Sequence, residues 1–205
     1  MTQRFSIHPE NPQPRLIRQA AEMLSAGGLL VYPTDSCYAF GCAVGDKASM
    51  ETIRRLRDLD SKHPFTLVCR DLSELSLYAR IDNAAYRILK AHTPGPYTFL
   101  LEATREVPRR LMEPKRRTIG LRIPDHRVVQ ALLEIHNAPL MSCTLMLPDL
   151  EDPPVEASAL YDRLKGRVSL IIDSGFCLSI PTTVVDLMGE VPEVVRQGGG
   201  SFPLL

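Results

Sequence analysis

The stretch from Gly27 to Cys42, GGLLVYPTDSCYAFGC, constrains this chain more than any other. A Gly-Gly pair stops the amphipathic helical pattern ahead of it, and Leu29-Leu30-Val31-Tyr32 then reads as a buried strand. Pro33 ends that strand, because proline has no N–H to donate to a ladder. Thr34, Asp35 and Ser36 follow at once, two hydroxyls and a carboxylate on a turn at a strand's carboxyl end. In open α/β sheets ligands bind outside those carboxyl ends. One short segment therefore gives both a fold class and a candidate site.

The rest of the chain alternates helical and extended patterns. A helix is expected over 14–26, with Leu16, Ile17, Ala20, Ala21 and Leu24 on one face. A second starts at Asp46 as cap and buries Met50, Ile53 and Leu56. Thr66–Cys69 reads as a short strand, with Asp71 as the next cap, and helix returns near 83–90. The segment TPGPYTFLLEA gives a turn and a strand. Thr118–Arg122 is a strand stopped by Pro124, Asp125 is a candidate cap for a helix over 128–136, and Pro139–Cys143 is another strand. A helix of about ten residues is expected near 155–164. Strands over 168–172, 182–187 and 191–196 close the pattern, and Gly198-Gly199-Gly200 reads as a flexible exit. With no linker or internal repeat, the expectation is one domain over 1–205, a single α/β fold on a twisted mixed sheet.

Composition narrows the class. A 205-residue chain is long enough for a sizeable core, and 44% hydrophobic with 23% charged residues is ordinary for a globular protein. Five cysteines at no zinc or redox spacing, several in apolar runs, read as reduced thiols of a cytoplasmic protein. No apolar run is long enough to span a bilayer, so no membrane partner is expected. The net charge of zero hides an uneven distribution: Arg105 to Arg127 holds eight basic residues against three acidic ones. That stripe could attract phosphates. The five histidines lack metal-ligand spacing, and Cys37 has no histidine near it in sequence to activate it.

Three segments carry further chemistry: the turn Thr93-Pro94-Gly95-Pro96-Tyr97-Thr98, the hydroxyl-rich strand mouth Pro181-Thr182-Thr183-Val184-Val185-Asp186, and Arg196-Gln197-Gly198. Singly each has a bland reading, as loop punctuation, β propensity or a glycine turn. In order, YPTDS…GCAV, TPGPYTFLL, IGLRIPDH, PLMSCT, PTTVVD and RQG resemble the YrdC/YciO family of threonylcarbamoyl-AMP synthases and their relatives. The likeness covers almost the whole chain and is closest to the YciO branch, given EPKRRTIGLRIP.

The resemblance implies a YrdC-like fold around a concave, positively charged cavity. It implies an activity in which L-threonine, bicarbonate and ATP, with Mg2+, give threonylcarbamoyl-AMP and pyrophosphate for tRNA threonylcarbamoyladenosine formation. Binding of double-stranded RNA or tRNA is also attributed to this fold. Thr34 and Ser36 match the threonine-site turn, with Asp35 where a glutamate is common. Arg122 matches the family's V-R-x-P-x-H arginine, His126 falls on its histidine with a structural role expected, and Thr183, Asp186 and Arg196 match nucleotide-side residues. Ser142 and Thr182 lie in matched segments and join the candidate set. Two departures bear on the reaction. The synthases' K-x-R pair falls on Arg57 and Leu59, or, shifted by one, on Asp58 and Asp60, with Lys62 as a possible substitute. Their S-x-N falls on Thr144 and Met146. The leading expectation is an ATP- or adenylate-binding protein, a threonylcarbamoyl-AMP synthase or a diverged ATP-cleaving relative. The rival is a non-catalytic RNA-binding module using Arg109, Arg110, Lys115, Arg116 and Arg117.

Overall fold

A computed structural model describes residues 1–60, 63–113 and 115–203, with the side chain of Arg110 left aside. Ten strands form one sheet: β1 (Gln3–Ser6), β2 (Leu30–Tyr32), β3 (Ala39–Ala43), β4 (Thr66–Val68), β5 (Tyr97–Glu102), β6 (Thr118–Arg122), β7 (Leu140–Thr144), β8 (Leu170–Asp173), β9 (Thr183–Asp186) and β10 (Glu193–Arg196). Their spatial order is β1-β8-β2-β3-β7-β4-β6-β5-β9-β10. The pairs β1/β8, β2/β8, β4/β6 and β5/β9 are parallel and the others antiparallel. The mixed α/β expectation holds. No helix among the described residues is long and apolar enough to cross a membrane.

The helices are α1 (Pro14–Ser25), α2 (Lys47–Arg57), α3 (Leu72–Tyr78), α4 (Asn83–His92), α5 (Arg127–His136) and the single turn α6 (Tyr161–Leu164). Proline at the first position starts α1, and Gly27 and Gly28 end it by returning their amides to Leu24 O and Met23 O at 3.0 and 2.9 Å. Asp46, Asp71 and Asp82 cap α2, α3 and α4 through their carboxylates.

Helices cover the two faces unequally. On one face α2, α3, α4 and the 157–164 segment pack on Val31, Phe40, Leu67, Phe99, Leu121 and Met141. On the other, α1 and α5 present Ile17, Leu24, Val129, Leu132 and Leu133 to Leu30, Leu140, Leu170 and Ile172. Each such buried side chain contributes about 1.5–3 kcal/mol relative to exposure. The remainder of that second face is bare. Thr66 stands opposite both Gly120 and Ser142, Gly120 opposite Leu100, and Thr98 opposite Val184. With side chains alternating along every strand, this register puts small and hydroxyl-bearing residues side by side where no helix lands.

Four local expectations are corrected. The 155–164 helix is a 3-10 turn (Ala157–Leu160) followed by α6, because Glu156 is held extended by its bridge to Phe176. The cap of α5 is His126, whose Nδ1 accepts from Val128 N at 3.3 Å; the Asp125 amide instead donates to Asp35. Two of the three glycines are packed: a Cβ on Gly198 would stand 2.2 Å from Pro181 O and one on Gly200 2.4 Å from the Tyr97 ring, so neither place has room for a side chain. Strands β1 and β3 lie where no strand was expected. Their pattern is too short or too uniformly buried to alternate, and their partners β8 and β7 are remote in sequence.

Candidate functional site

The bare part of the sheet is the floor of a cavity of about 310 Å3. Thr98, Leu100, Gly120, Thr66, Ser142 and Val184 belong to that floor, and Ser36 and Tyr38 border it from the turn after β2. Tyr32 marks where the helix-covered part ends. Its ring lies over Gly41, where any Cβ would come within 2.6 Å, and its hydroxyl meets Ser142 Oγ at 2.6 Å. Burial pushes the Tyr32 phenol up to about 12, against the Ser142 bond and the Arg122 charge, so it stays a neutral strut.

Three arginines reach the cavity from three directions. Arg122, at the end of β6, is buried and paired with Asp35; its Nη2 also lies 3.3 Å from Thr34 Oγ1, and its Nε is buried with no partner. The second oxygen of Asp35 accepts the Asp125 amide at 3.0 Å, so the turn and the residues after β6 share one carboxylate. Arg196, at the end of β10, donates to Thr182 O at 2.9 Å and lies 3.2 Å from Thr182 Oγ1. Burial holds this guanidinium below its ordinary value. Arg57, the last residue of α2, comes round from the opposite face and donates to Cys143 Sγ; its Nε is likewise buried without a partner. Burial raises the Cys143 thiol while Arg57 opposes that, and burial also raises Cys37. His63 borders the same end, its pKa lowered by burial and then by Arg57 and Arg54. No carboxylate is among the described lining residues.

The sequence candidates divide accordingly. Ser36, Arg57, Arg122, Ser142, Thr144, Thr182 and Arg196 line the cavity together. Thr34 stands behind them: its hydroxyl donates to Cys37 O at 2.6 Å and accepts the Ser36 and Cys37 amides, fixing the turn. Asp35 serves through Arg122. Thr183 points away, its Oγ1 donating to Gly200 O at 2.6 Å and accepting Gly198 N at 2.9 Å. Asp186 pairs with Arg116 at 2.7 Å and accepts the Met188 amide at 2.9 Å, beyond the cavity edge. Lys62 lies outside the described residues. None of Arg109, Lys115, Arg116 and Arg117 lines the cavity; they are exposed on the β5–β6 connection, with Arg110 in a 3-10 turn there. Thr66, Thr98, Gly120 and His63 were passed over. The alternation of hydroxyl or glycine with apolar residues in Thr66-Leu67 and Tyr97-Thr98-Phe99 was the signal that could have found the floor.

A family profile described as "Telomere recombination", covering Sua5, YciO and YrdC, matches residues 22–198. The chain belongs to the Sua5/YciO/YrdC family. It is 53% identical to the YciO protein of Escherichia coli over 200 residues, covering 98% of this chain and 97% of that one. The crystal structure of that protein matches with a TM-score of 0.93, over 98% of each chain. A Haemophilus influenzae relative is 55% identical over 202 residues, 98% of each. More distant is the threonylcarbamoyl-AMP synthase of Pyrococcus abyssi, 26% identical over 185 residues, or 89% of this chain and 54% of the synthase. The chain thus spans about half of that enzyme. A structure of P. abyssi Sua5 complexed with L-threonine shares the fold, with a TM-score of 0.84 at 24% identity over 97% of this chain and 57% of that one.

Proposed function

We infer that the cavity binds ATP or an adenylate, and that the protein is a threonylcarbamoyl-AMP synthase or a diverged, ATP-cleaving relative serving tRNA threonylcarbamoyladenosine formation. The observation that carries this is a floor of hydroxyls under three arginines with no carboxylate among the described lining residues. Arg122 is neutralised by Asp35, so among the described lining residues Arg57 and Arg196 are the arginines left to meet phosphate charge. Attack of a carbamate on the α-phosphate builds charge on the phosphoryl oxygens and the departing pyrophosphate, and fixed guanidiniums in a water-poor site stabilise it without reorganising. Ser36, Ser142, Thr98 and Thr182 are partners of the right size for an amino-acid carboxylate and hydroxyl, in keeping with the threonine in the P. abyssi structure. The cavity does not fit a resident Mg2+, since its described lining has no carboxylate and no group of three or more acidic, histidine or cysteine side chains among the described residues could hold a metal.

The test is incubation with ATP, magnesium, threonine and bicarbonate, following pyrophosphate release and threonylcarbamoyl-AMP by mass spectrometry. Product that is lost in Arg196→Ala and Arg57→Ala supports the synthase reading. ATP binding without product, abolished by the same variants, supports the diverged reading. No ATP binding overturns both. A second reading, RNA binding by the 109–117 stripe, is favoured by the exposure of Arg109, Lys115 and Arg117. It requires salt-sensitive duplex or tRNA binding that falls in Lys115→Ala and Arg117→Ala.

A further inference from the structure

The β5–β6 connection encloses a second depression, of about 550 Å3, at the far end of β6 from Arg122. Its lining is short and chemically biased: Arg105, Arg109 and Arg117, one acid, Glu113, and an apolar base of Val107 and Met112. Arg4, Arg54, Arg70, Arg80, Arg116, Arg127 and Arg163 each pair with a carboxylate. Arg105, Arg109 and Arg117 make no ion pair and no side-chain hydrogen bond among the described residues.

The one acid among the described lining residues offsets only one of these charges, from a position the turn fixes. Glu113 accepts the backbone amide of Arg116, and its pKa is lowered chiefly by that bond and by the amide of Lys115. Its carboxylate is therefore engaged in closing the 113–117 turn. That turn is tied at both ends: Glu113 N donates to Thr118 O at 2.9 Å, Arg117 N to Glu113 O at 2.8 Å, and Ala103 N to Arg117 O at 2.9 Å. Arg117 sits in the left-handed region at φ 54, a conformation uncommon for a residue with a long side chain. Val107 and Leu111 are buried beneath, which anchors the whole connection to the core.

We propose that this depression is a second anion site, built for the dianionic phosphate of a phosphomonoester or of free phosphate. Three guanidiniums converge on one concavity, and guanidinium is the side chain whose planar donors match phosphate oxygens in pairs. Among the described lining residues three positive charges against one turn-bound carboxylate leave an excess of two, which a dianion balances and a phosphodiester, with a single charge, does not. The apolar base of Val107 and Met112 gives a non-ionised part of the ligand a dry contact. A track for an RNA backbone would instead spread its cations along a ridge. This proposal stands independently of the reading of the main cavity.

The experiment is a titration with inorganic phosphate followed by backbone NMR, at constant ionic strength set with chloride. Saturable shifts confined to the 105–117 amides are expected. Arg109→Gln with Arg117→Gln should weaken binding by roughly tenfold or more, the loss expected for charge-assisted bonds. Arg117→Gly, which suits the left-handed backbone, gives a variant in which lost binding cannot be assigned to misfolding. ATP affinity at the main cavity should be unchanged in all three substitutions. Shifts that do not saturate, or that appear only around Ser36, Thr98 and Thr182, overturn the proposal. A duplex RNA that saturates the 105–117 amides and is not displaced by phosphate overturns it in favour of a backbone track.

Discussion

The two parts of one sheet face make the most instructive comparison in this molecule. Around β8 and β2, Leu170, Ile172, Leu30 and Leu140 point up and are roofed by α1 and α5. Around β4, β5 and β6, Thr66, Thr98 and Gly120 point the same way and are roofed by no helix. Strand geometry is the same in both; only the size and polarity of alternate side chains differ. The helix-covered part holds the fold together, and the bare part is left free for a ligand.

The sharpest break in that comparison is expected at Arg122, which lines the cavity and holds the turn after β2 through Asp35. Arg122→Ala leaves Asp35 buried without its cation, a change that typically costs about 3–5 kcal/mol. It should lower the denaturation midpoint strongly and abolish ATP binding together. Arg122→Met combined with Asp35→Asn should recover most of the stability and, with Arg57 and Arg196 still in place, the binding with it; binding that stays lost would give Arg122 a direct contact with the ligand. Next in size is the covered part. Leu132→Ala, at a fully buried α5 position, should cost about 2–5 kcal/mol in urea unfolding. Ligand affinity of its folded fraction should stay at the wild-type value.

The bare part should behave in the opposite way. Thr98→Val removes the 2.9 Å contact with Thr182 Oγ1 and should change stability by less than about 1 kcal/mol, while calorimetry shows weaker ATP binding. A large stability loss there would make the floor a packed core, not a binding surface. The smallest effect is a pH dependence. Burial lowers the pKa values of His126 and His63, so the unfolded chain takes up protons first as pH falls. Stability should be full above about 6.5 and decline from there downward, through the lower folded-state values. His126→Asn, which retains a capping oxygen, should flatten part of that slope in melts between pH 7 and 5, while a slope unchanged in it would assign the effect elsewhere.

The covered part was legible in the sequence and the bare part largely was not. Ile17, Ala20, Ala21 and Leu24 announce α1 by spacing alone, and the Gly27-Gly28 stop and the Asp46 cap are local chemistry. Thr66, Thr98, Gly120 and Ser142 are unremarkable singly. They become a floor only through register that sets Gly120 against Leu100, 20 residues away, and Thr66 against Gly120 and Ser142, 54 and 76 residues away. The turn at Thr34–Ser36 was readable as a ligand mouth, yet Thr34 and Asp35 act behind the cavity surface, and no local pattern tells an inward hydroxyl from an outward one. Thr183 and Asp186 show the same difficulty: they belong to the right strand, but one faces the glycine triplet and the other Arg116. The helix expected over 155–164 failed because a distant bridge to Phe176 outweighed good local propensity.

The pairing of β1 and β2 with β8 has a consequence for biosynthesis. Strands β1 and β2 leave the ribosome well before residues 170–173, their parallel neighbour, and β5 waits likewise for β9. Such late partners make for slow closure and a nascent chain with unpaired strand edges. Thr182 and Arg196 complete the cavity wall only after that. Binding competence should therefore appear in one step once residues 182–196 have emerged, and a ribosome-stalled chain that stops before β8 should depend on chaperones to stay soluble.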